Sequence, residues 1–241
     1  MVVANSRATQ QALLRNAPWL DAKYIRIVYN GINPKPFLSP PRKDLRALWE
    51  LDRQAAVLGF VGQLDERKGI QELLQAFVLV RYHLPNLHLV MAGLGSLERN
   101  IRSFAVENGL ERYIHVLGFQ QDIAEVMKAI DCLVLPSWWE GFGIVLIEAM
   151  AAGKPVITTH VSSMPEIVQH RKTGLVVPVR NAEALAAAIR YIFEHPDIAI
   201  QWGEMGRERV LNRFTLENML DDLEQVFQSA ISIRKTKHGI V

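Results

Sequence analysis

Residues 132–153 decide the fold of this chain, and they read Cys132-Leu-Val-Leu-Pro-Ser-Trp-Trp-Glu-Gly-Phe-Gly-Ile-Val-Leu-Ile-Glu-Ala-Met-Ala-Ala-Gly153. The apolar run 132–135 predicts a short buried strand, and the apolar and small residues after Gly143 predict a helix. Gly141 and Gly143 lie at the junction, where the lack of a Cβ lets backbone amides approach a ligand. The stretch therefore predicts a strand, a loop and a helix whose N-terminus can hold an anionic group.

Further short apolar and β-branched runs alternate with helical patterns along the rest of the chain. These runs cover residues 25–28, 56–61, 87–92, 114–117, 156–159 and 175–177. Most of them are continuously apolar rather than alternating, which is typical of a parallel sheet covered on both faces. The order of elements predicts an α/β fold, a Rossmann-like doubly wound parallel sheet that binds ligands at the carboxyl ends of its strands.

The composition is that of a folded globular chain, with 241 residues, 49% of them hydrophobic and 22% charged. The net charge of +2 argues against a dedicated nucleic-acid binder, so no nucleic-acid partner is expected. One cysteine excludes an internal disulfide, and the seven histidines show no metal spacing, so no metal site is predicted. No signal-peptide pattern and no apolar run of about 18 residues is visible, so a cytoplasmic location is expected.

Residues 1–33 stand apart from this pattern. Val2-Val-Ala4 predicts the end of a strand, and Asn5-Ser6 predicts the cap of a helix that runs to about Asn16. Asn30-Gly31, followed by prolines, predicts a turn and linker. The strand has no partner in the chain before it. Two interpretations stay open: the segment joins the main domain, or it is the last piece of an absent domain.

Two carboxylates accompany the predicted helix after Gly143. Glu148 is alone among apolar residues, and burying a carboxylate without partners is costly, so something must compensate. Glu148 either lies on an exposed edge or pairs with a basic neighbour, or it accepts hydrogen bonds from ligand hydroxyls. It lies roughly 7–8 Å along the axis from Gly143, about the distance from a diphosphate to the ribose of one nucleotide. Glu140 precedes the helix, where a group attached to that diphosphate would be.

A second strand-to-helix turn carries positive charge. The run 56–61 leads through Gly62 to Arg67-Lys68-Gly69. Glycines and cations at such a turn indicate phosphate contact. An ordinary charged loop is the alternative, because Asp65 and Glu66 could neutralise the two cations. Two such turns in one doubly wound sheet favour a diphosphate site.

Two other chemistries are not supported by the sequence. Gly93-Leu-Gly95 follows a strand, but Glu98 occupies the third glycine position of a dinucleotide fingerprint, so a nicotinamide site is not expected. Ser137, Ser162 and Ser163 lack the sequence of a nucleophile elbow, so a hydrolase triad is not expected.

Together these residues resemble the C-terminal nucleotide-binding domain of family-4 (group 1) glycosyltransferases, which are retaining enzymes of the GT-B fold. The resemblance covers the chain from Val2 to about Gln228. Glu140 to Glu148 resembles the family's E-x7-E motif. Pro155-Val-Ile, Pro165-Glu-Ile-Val168, Gly174-Leu-Val-Val and the Asn30-Gly31 turn also match the family pattern.

The resemblance implies a nucleotide-diphosphate sugar donor, with UDP or GDP as the expected nucleotide, and no cofactor. Glu140 would then be the catalytic-site residue that contacts the donor sugar. The expected donor-binding residues are Gly62, Arg67, Lys68, Phe119, Gly141, Phe142, Gly143, Ile144 and Glu148. Lys68 and Arg67 would contact the diphosphate, the 141–144 backbone the phosphate and sugar, Glu148 the ribose, and Phe119 the base.

The chain departs from the family pattern at two places. Gln63 stands where the family commonly has Arg, so one diphosphate partner is missing or Arg67 replaces it. Ser163-Met164 stands where the family often has Gly-Gly before the Pro-Glu pair, which alters the loop near the sugar.

By this resemblance, residues 1–33 are a remnant of an N-terminal acceptor domain plus linker, and 34–241 are the nucleotide-sugar domain with its C-terminal helices. The acceptor, a glycan, lipid or small molecule, would bind through the absent domain. Any peripheral association with a membrane would also occur through that domain. The helices at the end would leave part of their surface exposed. The chain is predicted to be the donor half of a retaining hexosyltransferase, inactive alone.

Two other functions remain open on the sequence. The chain is alternatively a catalytically incomplete nucleotide-sugar binding module, or one half of a split glycosyltransferase. A third candidate is an epimerase of similar architecture, which would form product from the donor without an acceptor.

Overall fold

The computed structural model describes residues 1–52 and 54–238, although it describes no side chains after residue 232. The strands are β1 (Val2–Ala4), β2 (Ile25–Ile27), β3 (Ala56–Val61), β4 (Leu87–Ala92), β5 (Ile114–Gly118), β6 (Cys132–Leu135), β7 (Val156–Thr159) and β8 (Gly174–Val177). The helices are α1 (Arg7–Asn16), α2 (Lys35–Leu38), α3 (Leu45–Leu48), α4 (Ile70–Arg81), α5 (Glu98–Glu107), α6 (Ile123–Ala129), α7 (Ile144–Ala151), α8 (Met164–Ile167), α9 (Ala182–Glu194), α10 (Pro196–Arg213) and α11 (Leu216–His238).

Strands β3 to β8 form one parallel sheet in the order β5-β4-β3-β6-β7-β8. Counting outward, the chain first builds β3, β4 and β5 to one side and then returns to add β6, β7 and β8 on the other. The order therefore reverses between β3 and β6, which leaves a crevice at their carboxyl ends. The predicted doubly wound parallel α/β fold is confirmed.

The sheet is apolar because helices cover both of its faces. Every residue of β6 and β7 is buried, including Thr158 and Thr159 at the end of β7. Helix α4 buries Leu73 and Phe77, and it packs beside α9. Full burial of such a side chain stabilises the fold by roughly 1.5–3 kcal/mol, which explains the continuous apolar strands.

Strands β1 and β2 form a separate two-stranded parallel sheet, with α1 between them in the chain. The partner of β1 follows it in the chain, at Ile25–Ile27, and does not precede it. Ser6 caps α1, as predicted from the sequence, by accepting a hydrogen bond from the Thr9 amide at 3.0 Å. The linker joins the end of α10, where the Ile32 amide donates to the Phe214 carbonyl at 2.9 Å.

Helix α11 leaves much of its apolar stripe in solvent. Val226 is buried, but Leu220 and Phe227 are 53% and 63% exposed. This agrees with the expectation that the last helices expose apolar surface. In the described part of the chain, no helix is both long and apolar enough to cross a bilayer.

Candidate functional site

The two loops predicted to contact phosphate meet at the crevice between β3 and β6. The amide of Trp138, in the loop after β6, donates to the Arg67 carbonyl, in the loop after β3, at 2.7 Å. Gly69 makes this approach possible, because a Cβ at that position would lie 2.1 Å from the Pro136 carbonyl oxygen. Its φ of 68° also lies in the left-handed region that favours glycine.

Lys68 and Glu140 form an ion pair across the crevice. Their side chains are only 22% and 11% exposed, so water screens the pair weakly. Ser137 also donates to Glu140 Oε1, at 2.9 Å. Both contacts use the same carboxylate oxygen, and no hydrogen bond reaches Oε2 from the described residues. The carboxylate is therefore held in place with one oxygen left to accept from a ligand.

The two cations of the 67–68 pair have different surroundings. Arg67 contacts Asp65 at 3.2 Å and is 67% exposed, as the interpretation of an ordinary charged loop proposed. Lys68 contacts Glu140 rather than Glu66. The acids beside Lys68 in the sequence therefore do not pair with it, and it contacts an acid of the other loop instead. Phosphate contact by Lys68 stays a prediction.

Helix α7 begins at the same crevice with its first amides uncapped by a side chain. Its N-cap is Gly143, at a φ of 87°. Helix N-terminal amides and the helix dipole together bind anions. Ile144, the first helical residue, is 45% exposed. The amides at this helix end therefore lie three residues after Glu140, the partner of Lys68.

Phe142 turns away from the crevice. Its side chain is 4% exposed and packs against Tyr29 and Phe214, with ring centroids 6.2 Å apart in each case. Only its backbone is able to contact a ligand, which is the role the sequence analysis assigned to residues 141–144. The buried Ser163 donates to the Phe142 carbonyl at 2.9 Å.

Buried hydroxyls support the loop after β6, and sequence reasoning missed them. Thr159 donates to the Ser137 carbonyl at 2.5 Å, in addition to the contacts that Ser137 and Ser163 make. The sequence predicts neither hydrogen bond: Ser137 was considered only as a nucleophile, and Ser163 as a nucleophile and as a departure from the family pattern. The signal that could have found them is their place directly after β6 and β7, at the carboxyl edge of the sheet.

Trp138 anchors the same loop from the other side. Its indole Nε1 donates to Glu72 Oε1 at 3.2 Å, and the guanidinium of Arg180 lies 4.1 Å from the ring centroid. Trp139 is 62% exposed and free to meet a ligand. Neighbouring tryptophans thus take different roles, one packed against the protein and one in solvent.

Glu148 lies on α7 and is half-buried, and burial raises the pKa of its carboxyl. None of the described residues gives it an ion pair or a side-chain hydrogen bond. The interpretation of a paired basic neighbour is therefore wrong. An unpartnered, half-buried carboxylate is costly unless a ligand supplies donors.

The base-binding candidate lies further along the same sheet edge. Phe119 follows β5, two strands from β3, and is 71% exposed. Gly62 lies next to Gly93, since a Cβ on Gly93 would be 1.8 Å from the Gly62 carbonyl oxygen. The structure therefore gathers Gly62, Lys68 and residues 140–144 at the crevice and leaves Phe119 apart from them.

Metal binding has no support in the described residues, where no three His, Cys, Asp or Glu side chains are close enough to share an ion.

Solved structures share this fold. A glycosyltransferase from Rickettsia africae superimposes with a TM-score of 0.88 at 26% identity, covering 95% of this chain and 63% of that one. The Anabaena protein HepE, crystallised with UDP-glucose, has a TM-score of 0.85 at 24% identity over 96% of this chain and 64% of its own. The likeness to HepE shows the fold alone.

Sequence comparison gives the same relationship. The chain is 27% identical over 217 residues to N-acetyl-alpha-D-glucosaminyl L-malate synthase from Bacillus anthracis, covering 90% of this chain and 56% of that protein. It thus spans a little over half the length of that relative. The family of group 1 glycosyl transferases matches residues 41–209. This match covers more than half of the chain, so the chain belongs to the group 1 glycosyl transferase family.

Proposed function

We propose that this chain is the donor-binding part of a retaining glycosyltransferase, which transfers a hexosyl group from a nucleotide-diphosphate sugar. One observation carries the proposal: the Lys68–Glu140 ion pair lies at the uncapped N-terminus of α7, at the reversal point of the sheet. This arrangement offers a cation and backbone amides to a diphosphate and a fixed carboxylate to the sugar attached to it.

The residues at the crevice are suited to stabilise the negative charge that develops on the leaving diphosphate. Lys68, the α7 amides and Arg67 would stabilise it electrostatically. A diphosphate competes with Glu140 for Lys68, because both partners are anionic. Glu140 Oε2 would then accept from a hydroxyl of the donor sugar, while Ser137 continues to hold Oε1.

Glu148 would bind the ribose. Two adjacent ribose hydroxyls donate to one carboxylate, and they would supply the donors that the ligand-free protein lacks. Phe119 would contact the base. Gly62, which has no side chain, would let its backbone lie close to the nucleotide. Retention of configuration belongs to this proposal through the family resemblance.

The organisation of the whole protein is part of the same proposal. Residues 1–33 would belong with an acceptor domain and 34–241 with the donor domain. Acceptor binding, by a glycan, lipid or small molecule, would then need contacts beyond this chain. A cytoplasmic setting, with membrane association only through such contacts, completes the proposal.

Calorimetric titration of the chain with UDP, GDP and ADP tests the donor site. UDP is the first nucleotide to use, because the Anabaena neighbour was crystallised with UDP-glucose. We expect micromolar binding of one nucleotide, lost in Glu148→Ala and retained in the matched control Glu183→Ala, which changes an exposed glutamate at the start of α9. Absence of binding by all three nucleotides would contradict the proposal.

A second candidate is that the chain is a nucleotide-sugar binding module or half of a split enzyme. We expect the pure chain to bind nucleotide yet to show no sugar transfer from UDP-glucose to added acceptors. Robust turnover would remove this candidate. Product formed from the donor alone would instead favour an epimerase.

A further inference from the structure

Glu166 joins two parts of the chain that are remote in sequence. It lies on α8, directly after β7 of the large sheet. Its Oε2 accepts from the Arg7 amide at 3.0 Å and its Oε1 from the Ala8 amide at 2.9 Å. The Tyr29 hydroxyl also donates to Oε2, at 2.9 Å. All three donors belong to residues 1–33.

The contact with α1 is a helix cap supplied from another part of the chain. Arg7 and Ala8 are the first two residues of α1, whose amides have no partner inside the helix. Ser6 satisfies the next amide, that of Thr9, so Glu166 completes the cap. A carboxylate at this helix end also gains from the helix dipole and from charge-assisted hydrogen bonds.

Glu166 is itself held firmly. Arg209 of α10 donates to the Glu166 carbonyl at 2.7 Å and to the Ile167 carbonyl at 2.8 Å. Because the backbone of Glu166 is anchored, its carboxylate restrains the donors that bind to it. Those donors cannot move without breaking their hydrogen bonds or moving Glu166.

The same elements reach the loop at the crevice. Tyr29 packs its ring against Phe142, in the loop that precedes α7, and edge-on against Phe214, with centroids 5.7 Å apart. The Ser163 hydroxyl, at the start of α8, donates a hydrogen bond to the Phe142 carbonyl. Residues 1–33 therefore contact the crevice loop through Tyr29, and Glu166 holds Tyr29 in that position.

We propose that Glu166 is a positioning residue that couples residues 1–33 to the 141–143 loop at the nucleotide site. It holds the first turn of α1 and the ring of Tyr29 together, and Tyr29 holds Phe142 and so the backbone at the start of α7. The coupling to nucleotide rests on the proposed function; the coupling between the two segments does not. Because coupling is reciprocal, nucleotide binding would tighten the α1 contact.

Hydrogen exchange of the ligand-free chain tests the coupling between segments. We compare wild type with Glu166→Ala, Glu166→Gln and Tyr29→Phe, using Glu183→Gln as the matched control. Glu166→Ala is expected to speed exchange both in the peptide with the Arg7 and Ala8 amides and in the peptide covering 136–144. Tyr29→Phe keeps the ring and removes only the hydroxyl, so a smaller increase is expected at 136–144.

Titration with UDP, or with whichever nucleotide the chain binds, tests the coupling to the site. Glu166→Ala is expected to weaken binding about fivefold or more, a typical lower bound for coupled sites. Glu166→Gln, which keeps one acceptor oxygen, is expected to restore part of that loss. In wild type the nucleotide slows exchange in both peptides, whereas in Glu166→Ala it slows only 136–144.

The outcomes separate the two proposals. Faster exchange at residues 7 and 8 alone, with unchanged nucleotide affinity, would reduce Glu166 to a simple cap and overturn the inference. If wild type binds no nucleotide, the proposed function fails, yet exchange at 136–144 in the ligand-free variants still decides the coupling. If Glu166→Ala does not fold, Glu166→Gln and Tyr29→Phe decide it in the same way.

Discussion

The ammonium of Lys68 and the carboxylate of Glu140 meet across two loops, although 72 positions separate them in the sequence. One loop follows β3 and the other follows β6, the two strands at which the order of the sheet reverses. The pair is mostly shielded from water, so it acts at close range and with little screening. An incoming diphosphate would find this cation already positioned.

Replacement of Lys68 by alanine should weaken binding of nucleoside diphosphates. A hydrogen bond to a charged group contributes roughly 1.5–3 kcal/mol, so the dissociation constant for UDP is expected to rise about tenfold or more. Calorimetry measures the change. Lys172→Ala, at an exposed lysine, serves as the control. Binding of uridine, which has no diphosphate, should be little affected; an equal loss for uridine and UDP would contradict the assignment.

Replacement of Glu148 by glutamine should stabilise the ligand-free protein while weakening nucleotide binding. Burial raises the pKa of Glu148, so its contribution to stability is present below its ordinary pKa and is lost as the pH rises through the raised value. Near pH 7 the ionised carboxylate is therefore a cost. Each kcal/mol of this cost that is removed would raise the melting temperature by about 2–4 °C.

Thermal melts across pH check this expectation. The gain of Glu148→Gln should shrink toward pH 4, where the wild-type carboxyl is protonated, and the exposed control Glu183→Gln should show no such trend. A variant less stable than wild type near pH 7 would mean that the carboxylate has a partner in the ligand-free protein.

Replacement of Gly69 by alanine should damage both the fold and the site. A left-handed backbone costs an ordinary residue roughly 1–2 kcal/mol, and here the new Cβ would also lie 2.1 Å from the Pro136 oxygen. Gly109→Ala is the matched control, since its φ is +64° but its Cβ would meet nothing within 4 Å. Urea unfolding should show a greater loss in the free energy of unfolding for Gly69→Ala than for Gly109→Ala, and Gly69→Ala should also bind UDP more weakly. Equal losses of stability would show that the two loops can separate at little cost.

A pair of histidines predicts loss of stability in mild acid. His88 Nδ1 lies 3.0 Å from His115 Nε2, across the β4–β5 edge. Burial lowers the pKa of both, and for His88 the charge of His115 lowers it further. The contribution of the two neutral histidines to folding stability is complete above their ordinary pKa of 6.5. It is lost as the pH falls below 6.5 and through their lowered pKa values.

Urea midpoints measured near pH 7 and near pH 5 test the histidine pair. Wild type should lose more stability between the two than His115→Gln, because that variant removes one of the two protonations that folding opposes. The exposed His83→Gln is the control and should follow wild type. Identical pH dependence in all three proteins would exclude the pair as the cause.

The sequence by itself determined the strands of the sheet and the starts of α1 and α7. Strand runs such as Cys132–Leu135 are visible because burial on both faces demands continuous apolar residues. The cap Ser6 is visible because its side chain accepts a hydrogen bond from the amide three residues ahead. The phosphate contact predicted for the loop 140–143 rests on glycines and a helix start that are adjacent in the chain, and it stays a prediction.

Only the tertiary structure decided which distant groups meet. Lys68 pairs with Glu140, and not with an acid beside it, because β3 and β6 are neighbours in the sheet. Phe142 points inward because Tyr29 and Phe214 arrive from two other segments to cover it. Glu166 caps α1 across 158 and 159 positions. Such contacts depend on strand order and packing, and no local pattern in the sequence encodes them.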